Sequence, residues 1–354
     1  MPILGNVFSG ASKLNYLSVM SFSSPYVQLY PWVRGSGIGT KFSDPASAAS
    51  VAGSSRQNSK FSTSSNYFIS GCNASPFMQV YKVTNTGFGT KVSNPATLPT
   101  TAAIGVNFTT SNKDVIINKN NVPSAWPWTG SGFGTKYTDS STVMTYGNTY
   151  GGCVSAVGDD VFQGGSASTS LMSAWSFTSG TGWGSQYSNP AYVLSGVNYQ
   201  GYSTDPTGTL LMVAAVTPNL SLINWSPSVG FGTRIATAGS NESYRGSFNQ
   251  LGNFYLNVTS NIYAGIPSPY IFFGIYPVST SGFGTKISGP SITNPGGAYT
   301  FVNGVFSPYG TEIATSSSID NSIYAYPFTG SSFGTKYSNP ATLPAGTVYD
   351  VQFG

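Results

Sequence analysis

One ten-residue stretch, Gly87-Phe88-Gly89-Thr90-Lys91-Val92-Ser93-Asn94-Pro95-Ala96, recurs in close variants along the whole chain and limits what the chain can fold into. Its first position falls at Gly37, Gly87, Gly132, Gly182, Gly230, Gly282 and, with the glycine replaced, Ser332, at spacings of 50, 45, 50, 48, 52 and 50 residues. A period of this size marks a repeat architecture, in which each unit buries its apolar face against its neighbours. Seven even copies over 354 residues read as one closed domain rather than two or three separate ones.

Each copy reads as strands. Apolar residues alternate, β-branched and aromatic types dominate, and Gly, Pro, Asn and Ser punctuate at intervals of about ten residues. In the last complete copy the pattern predicts strands over 298–306, 312–316, 321–328 and 334–338, with Ser307-Pro308-Tyr309-Gly310 as the first turn and Asn339-Pro340 closing the unit. Four-stranded units repeated around an axis make an all-β, seven-bladed β-propeller. The predicted single domain, 1–354, divides into blades at about 1–45 plus 342–354, 46–97, 98–139, 140–190, 191–237, 238–291 and 292–341. The segment 47–65 is nearly all small and polar, which leaves the inner strand of the second copy the weakest of the set.

The two ends match different strands of the repeat. Residues 347–353 look like a first strand, while 15–22 and 26–32 look like a second and a third. A ring accounts for the offset: the C-terminal strand completes the N-terminal blade and leaves no open edge at the seam.

An aromatic residue stands five to seven positions before each signature, at Tyr30, Tyr81, Trp126, Trp175, Trp225, Tyr276 and Tyr326, and reads as packing between blades. The signature's second residue is also bulky, at Ile38, Phe88, Phe133, Trp183, Phe231, Phe283 and Phe333. Its fifth is basic in six copies, Lys41, Lys91, Lys136, Arg234, Lys286 and Lys336, with Gln186 the exception. Lysine on an outermost strand guards against edge-to-edge aggregation, and the same six residues form a basic girdle able to meet an acidic partner. The Gly-rich stretch is not a phosphate loop, since no helical pattern follows it.

Charged residues make up only 7% of the chain, but 40% hydrophobic and 14% aromatic residues suffice for a core. The net charge of +4, from 14 basic and 10 acidic residues, contains no basic block of the kind that binds nucleic acid. Without histidine there is no imidazole-based triad or metal site; Cys72 and Cys153 read as free buried thiols, and Asp139 and Asp159-Asp160 as solvated turns. The expectation is therefore no enzyme, no cofactor and no metal. The start of the chain has no signal-peptide pattern and the longest apolar run, 210–216, is too short to span a bilayer, so folding in the cytoplasm without membrane insertion is expected.

The stretch Phe333-Gly334-Thr335-Lys336-Tyr337-Ser338-Asn339-Pro340-Ala341-Thr342-Leu343-Pro344, together with turns such as Ser307-Pro308-Tyr309-Gly310-Thr311, resembles WD40-like β-propeller repeat proteins encoded by tailed bacteriophages. The resemblance covers essentially the whole chain but lacks the Gly-His and Trp-Asp pairs of true WD40 repeats. It implies a virion protein, a decoration or attachment module on capsid or tail, with other virion proteins or a second copy of the chain as partners. The alternative is a lectin-like module that binds host surface glycan through exposed aromatics such as Trp32 and Trp128.

Overall fold

The computed structural model describes residues 15–47, 58–119, 122–140, 148–166, 172–190, 199–215, 220–238, 243–261, 273–292, 299–317 and 321–354. Among these residues every regular element is a strand, and the strands form seven antiparallel blades in a ring. The inner strands, in blade order, are Val348–Phe353, Ser59–Phe61, Ala103–Phe108, Asn148–Val154, Tyr199–Thr204, Ser243–Phe248 and Tyr299–Phe306. Blade 1 runs from Val348–Phe353 through Asn15–Ser21 and Val27–Val33 to Gly37–Ile38, so the C-terminal strand does complete the N-terminal blade. The weak inner strand of blade 2 is the three-residue Ser59–Phe61, with 48–57 outside the described residues.

A blade has two apolar faces, and each must be covered. The buried apolar side chains accordingly sort into seven clusters, one between each adjacent pair of blades. Leu29 and Met20 of blade 1 meet Phe68 and Tyr81 of blade 2, for example, and Ala314 and Ala325 of blade 7 meet Leu17 and Trp32 of blade 1. This last cluster closes the ring. The expected aromatics before the signature are all buried, but the strand register corrects one of them. Trp225 pairs with Phe231 of the signature, as Trp32 pairs with Ile38, so the residue of blade 5 equivalent to Tyr30 is Ile223.

The outer strands vary in length, and one residue accounts for it. Blades with Lys82, Ser176 or Asn224 in the third strand carry outer strands Gly87–Lys91, Gly182–Gln186 and Gly230–Ala238. Where proline takes that place, at Pro31 and Pro277, the strand at the signature is only Gly37–Ile38 or Gly282–Phe283. At Pro127 and Pro327 it shrinks to the single bridges Trp128↔Phe133 and Phe328↔Phe333. Proline has no N–H to give the ladder. The strand expected over 334–338 is therefore not formed; that segment is tied to the third strand by Gly334 N–H to Pro327 O at 2.9 Å and Tyr337 N–H to Ala325 O at 2.9 Å.

Two of the signature's positions lock blades together. The first glycine holds φ between +89° and +128° at Gly37, Gly87, Gly182, Gly230 and Gly282, a region closed to most side chains. A Cβ at Gly37 would lie 2.8 Å from the ring of Tyr337, one at Gly87 2.8 Å from Phe42, and one at Gly230 2.9 Å from Tyr187. At Gly37, Gly87, Gly182 and Gly230 the intruding side chain is the aromatic sixth residue of the signature in the preceding blade, so blade 7 reaches blade 1 by the same contact; a Cβ at Gly282 would instead meet Ala236 at 3.3 Å. Ser332 is tolerated because its copy turns differently: the left-handed residue there is Gly330, and Thr329 N–H bonds Ser332 O at 3.0 Å.

The tyrosines at the sixth position also carry a polar latch. Tyr137 O–H donates to Asp114 at 2.8 Å and accepts from Gly180 N–H of blade 4 at 3.1 Å. Tyr187 lies 3.0 Å from Asp160 and 2.6 Å from Pro227 O of blade 5. Tyr337 O–H donates to Glu312, which accepts Gly35 N–H of blade 1 at 2.8 Å. Asp160 is thus a buried inter-blade ligand and not a solvated turn residue, while its neighbour Asp159 accepts Thr110 N–H at 2.8 Å. Asp139 is tied to Ser124 and Lys136, at 2.7 and 2.6 Å.

Two outcomes follow. Deleting 347–354 removes Val348, Tyr349 and Val351, all fully buried, and strips the inner strand from the closing blade. Thermal unfolding of the shortened chain should show a large loss of stability, and melting like the full chain would contradict closure through blade 1. Burial pushes the Asp160 carboxyl up from 3.8 to about 6, against the opposing pull of the Tyr187 hydroxyl and the nearby Trp225 indole. Because the folded state then holds the proton more tightly, this residue's contribution is full below 3.8 and falls as pH rises to about 6. Melting temperatures of wild type and Asp160→Asn measured across that window should therefore diverge, with wild type losing ground as pH rises.

Candidate functional site

The seven inner strands converge on the ring axis, and their pairing fixes which residues share a level. Phe353, Phe61, Phe108, Val154, Thr204, Phe248 and Phe306 occupy equivalent positions opposite the start of the second strand. One residue earlier stand Gln352, Lys60, Asn107, Cys153, Ser203, Ser247 and Val305, one from each blade, and all seven line a cavity of about 260 Å³ in the channel. Unlike the packing positions, no two neighbours around this ring are alike in chemistry except the two serines. The mouth is lined by Thr63, Thr110, Ala156 and Thr204, on the face where inner strands turn into second strands.

Two residues further into the channel, polar side chains stitch adjacent inner strands. Asp350 accepts Ser59 N–H at 2.7 Å and Ser59 O–H at 2.6 Å, together with the Asn303 amide and Gln352 Nε2. Asn58 Oδ1 accepts Val106 N–H at 2.7 Å, and Asn303 Nδ2 donates to Val351 O at 3.1 Å. In blades 3, 4 and 5 the position holds Gly105, Gly151 and Gly201, and a Cβ at Gly151 would lie 2.6 Å from Gln200 O. In blade 6 the same place is taken by Arg245.

The electrostatics follow from burial. Lys60 Nζ donates to Gln352 Oε1 at 3.2 Å; burial pushes its pKa down, Asp350 pulls it back up, and Arg245 adds a downward push. Asp350 is pushed up by burial and pulled down by the Ser59 bonds and by Arg245 and Lys60. Among the described residues no carboxylate lines the cavity, and no three His, Cys, Asp or Glu side chains come together as metal ligands.

The residues singled out in the sequence lie elsewhere. Trp32 is 2% exposed, with Tyr337 and Phe353 packed on its ring and Nε1 3.3 Å from Glu312. Trp128 is 6% exposed among Tyr67, Phe108 and Phe133. Both are core rings and offer no exposed face to a sugar. The basic girdle sits on the outer segments, as its repeat position requires. Lys41 pairs with Asp44 at 2.5 Å and Lys136 with Asp139 at 2.6 Å, while Lys286 and Lys336 lie over the rings of Tyr276 and Tyr324. Lys91 is half-buried and Arg234 exposed. The girdle residues and the channel residues are on opposite sides of each blade, and the structure does not bring them together.

Lys60, Arg245 and Asn107 escaped the sequence reading. The signal that marks them is a difference: counted back from the first turn of each copy, their positions change chemistry from blade to blade while most of the flanking positions are apolar or glycine.

No protein-family model matches the sequence, and no curated protein matches it. Solved structures do, by fold. A structure from Bacteroides uniformis named as a "putative 6-phosphogluconolactonase" superposes with a TM-score of 0.71 at 13% identity, covering 97% of this chain and 100% of its own. A second structure of that name, from Bacteroides fragilis, gives 0.69 at 8% identity over 98% and 99%. The β-propeller domain of Cps50 (Swd1) from Myceliophthora thermophila gives 0.56 at 10% identity over 80% and 86%. The fold and its channel define a seven-bladed β-propeller protein, and identities this low carry the fold alone. The expectation of a non-enzyme is corrected by these neighbours: propellers of this overall shape include structures named for a lactonase, so a lack of histidine does not remove the chain from an enzyme-bearing architecture.

Cys153 lies in the ring of seven, and burial pushes its thiol up to about 12. Its thiolate fraction near neutral pH is then roughly a thousandfold below that of an ordinary cysteine, since only the thiolate reacts. Titration with a thiol reagent should show negligible labelling of the folded chain and two reactive thiols in denaturant. Rapid labelling of Cys153 in the native state would contradict that environment.

Proposed function

We propose that the chain is a protein-binding propeller carried in a bacteriophage particle, as a decoration or attachment module on capsid or tail. The fold is compatible with a binding module, and the observation that carries the reading is an exposed apolar arc on one face. Val33, Val157, Val229, Leu251 and Tyr309 are 50%, 46%, 76%, 79% and 47% exposed. Val33 ends the third strand of blade 1 and the other four occupy turns, all on the face that bears the cavity mouth.

The turns touch one another in sequence around the ring. Val157 of blade 4 lies against Gly208 of blade 5, and Gly158 against Pro227, two residues before Val229. Gly252, next to Leu251 in blade 6, lies against Pro206 of blade 5. Tyr309 of blade 7 receives Asn15 Nδ2 at 3.1 Å and the Arg34 guanidinium at 4.7 Å from its ring, beside Val33 of blade 1. A run of exposed apolar side chains among polar turn residues such as Asn112, Asp159 and Thr207 is the composition of an interface core with a polar rim. The phage setting rests on the repeat resemblance, and the partner is another particle protein. A glycan reading through Trp32 and Trp128 is not carried further, because neither ring is exposed.

The test is incorporation. Phage particles assembled with the wild-type chain should contain it in stoichiometric amount by mass spectrometry. Particles assembled with Val229→Asp/Leu251→Asp should lose it, while the isolated variant melts like wild type. Absence of the wild-type chain from purified particles, or undiminished incorporation of the variant, would overturn the reading.

A further inference from the structure

We propose that the channel cavity is a binding site for a phosphate group, free or carried on a small polar molecule. This goes beyond the docking face and stands on different residues. Three observations converge on it. Two cationic side chains line the cavity from opposite walls of the ring, Lys60 in blade 2 and Arg245 in blade 6. Their side chains are the pair suited to a dianion, Arg as a planar fork and Lys as a compact charge.

Next to Lys60, the Asn107 side chain of blade 3 is 5% exposed, lines the same cavity, and its Nδ2 has no hydrogen-bond partner. A buried amide donor without an acceptor costs free energy, and an oxyanion in the cavity would satisfy it. The remaining polar ring members, Ser203, Ser247 and Gln352, supply hydroxyl and amide groups at the same level.

The third observation is the charge balance. Asp350 is the carboxylate whose field reaches both cations, yet it is held by Ser59, Asn303 and Gln352 and does not line the cavity. Lys60 gives one of its three N–H groups to Gln352 at 3.2 Å, leaving others for a guest. A cavity of about 260 Å³ is near the lower end of small-molecule sites, which limits the guest to a phosphate or a small phosphorylated molecule.

Isothermal titration of the full chain with inorganic phosphate, glucose 6-phosphate and glucose decides the matter. Saturable binding of inorganic phosphate supports the site and assigns recognition to the phosphate alone. Binding of glucose 6-phosphate but not phosphate also supports it and assigns part of the recognition to the Ser and Thr groups around the mouth. Lys60→Gln and Arg245→Gln should each weaken binding by roughly tenfold or more, as expected for loss of a charged hydrogen bond, while Lys336→Gln on the rim leaves it unchanged. Circular dichroism and melting establish which variants remain folded. If the wild-type chain gives no saturable heat with either phosphate compound and no rise in melting temperature, the proposal fails whatever the variants do. It fails equally if folded Lys60→Gln and Arg245→Gln bind as wild type does, or if glucose binds as well as its phosphate.

Discussion

Every other feature of this protein depends on the apolar layer between one blade and the next. A four-stranded sheet of seven residues or so cannot persist with both faces wet, so each blade is stable only as one slice of a stack. In an open stack the first and last faces would stay exposed. Here the layer that joins Ala314 and Ala325 to Leu17 and Trp32 leaves neither face open. The C-terminal strand Val348–Phe353, built into blade 1, turns that layer into a covalently staggered seam.

The repeated signature serves this stacking. At Gly37, Gly87, Gly182 and Gly230 the first glycine leaves room for the ring at the sixth position of the copy before, and its backbone takes a φ that a side chain would resist. Tyr137 and Tyr187 then add a hydroxyl that joins an acidic residue of their own blade to the backbone of the next, while Tyr337 donates to Glu312, whose carboxylate itself accepts Gly35 N–H of blade 1. Three of the chain's ten acidic residues, Asp114, Asp160 and Glu312, are consumed in this way. The scarcity of charge follows the same logic, because most of the surface between blades is not surface at all.

Closing the ring has a second consequence. Seven inner strands are brought around one axis, and residues far apart in the chain come to face a common space. Lys60, Asn107 and Arg245 are separated by 47 and 138 residues in sequence, yet they line one cavity. Nothing in the local sequence around any one of them distinguishes it from a chance polar residue in a short strand. By contrast Trp32 and Trp128 look like exposed sugar-stacking rings only while their register is unknown. Both pair with the bulky second residue of the signature and fall inside a between-blade cluster.

The number of blades, their four-strand plan and the shared closing blade were legible from repeat spacing and from the mismatch of the two ends, because periodicity survives without coordinates. The burial of the recurring aromatics was legible for the same reason. Strand lengths were not: whether the outer strand runs nine residues or collapses to one bridge depends on Pro, Lys, Ser or Asn in the facing strand, a pairing partner that the linear sequence does not name. The acidic latch, the ring of seven dissimilar side chains and the apolar arc were decided only by tertiary structure. Each is made of residues contributed by different blades, and the distances between blades exist only once the ring has closed.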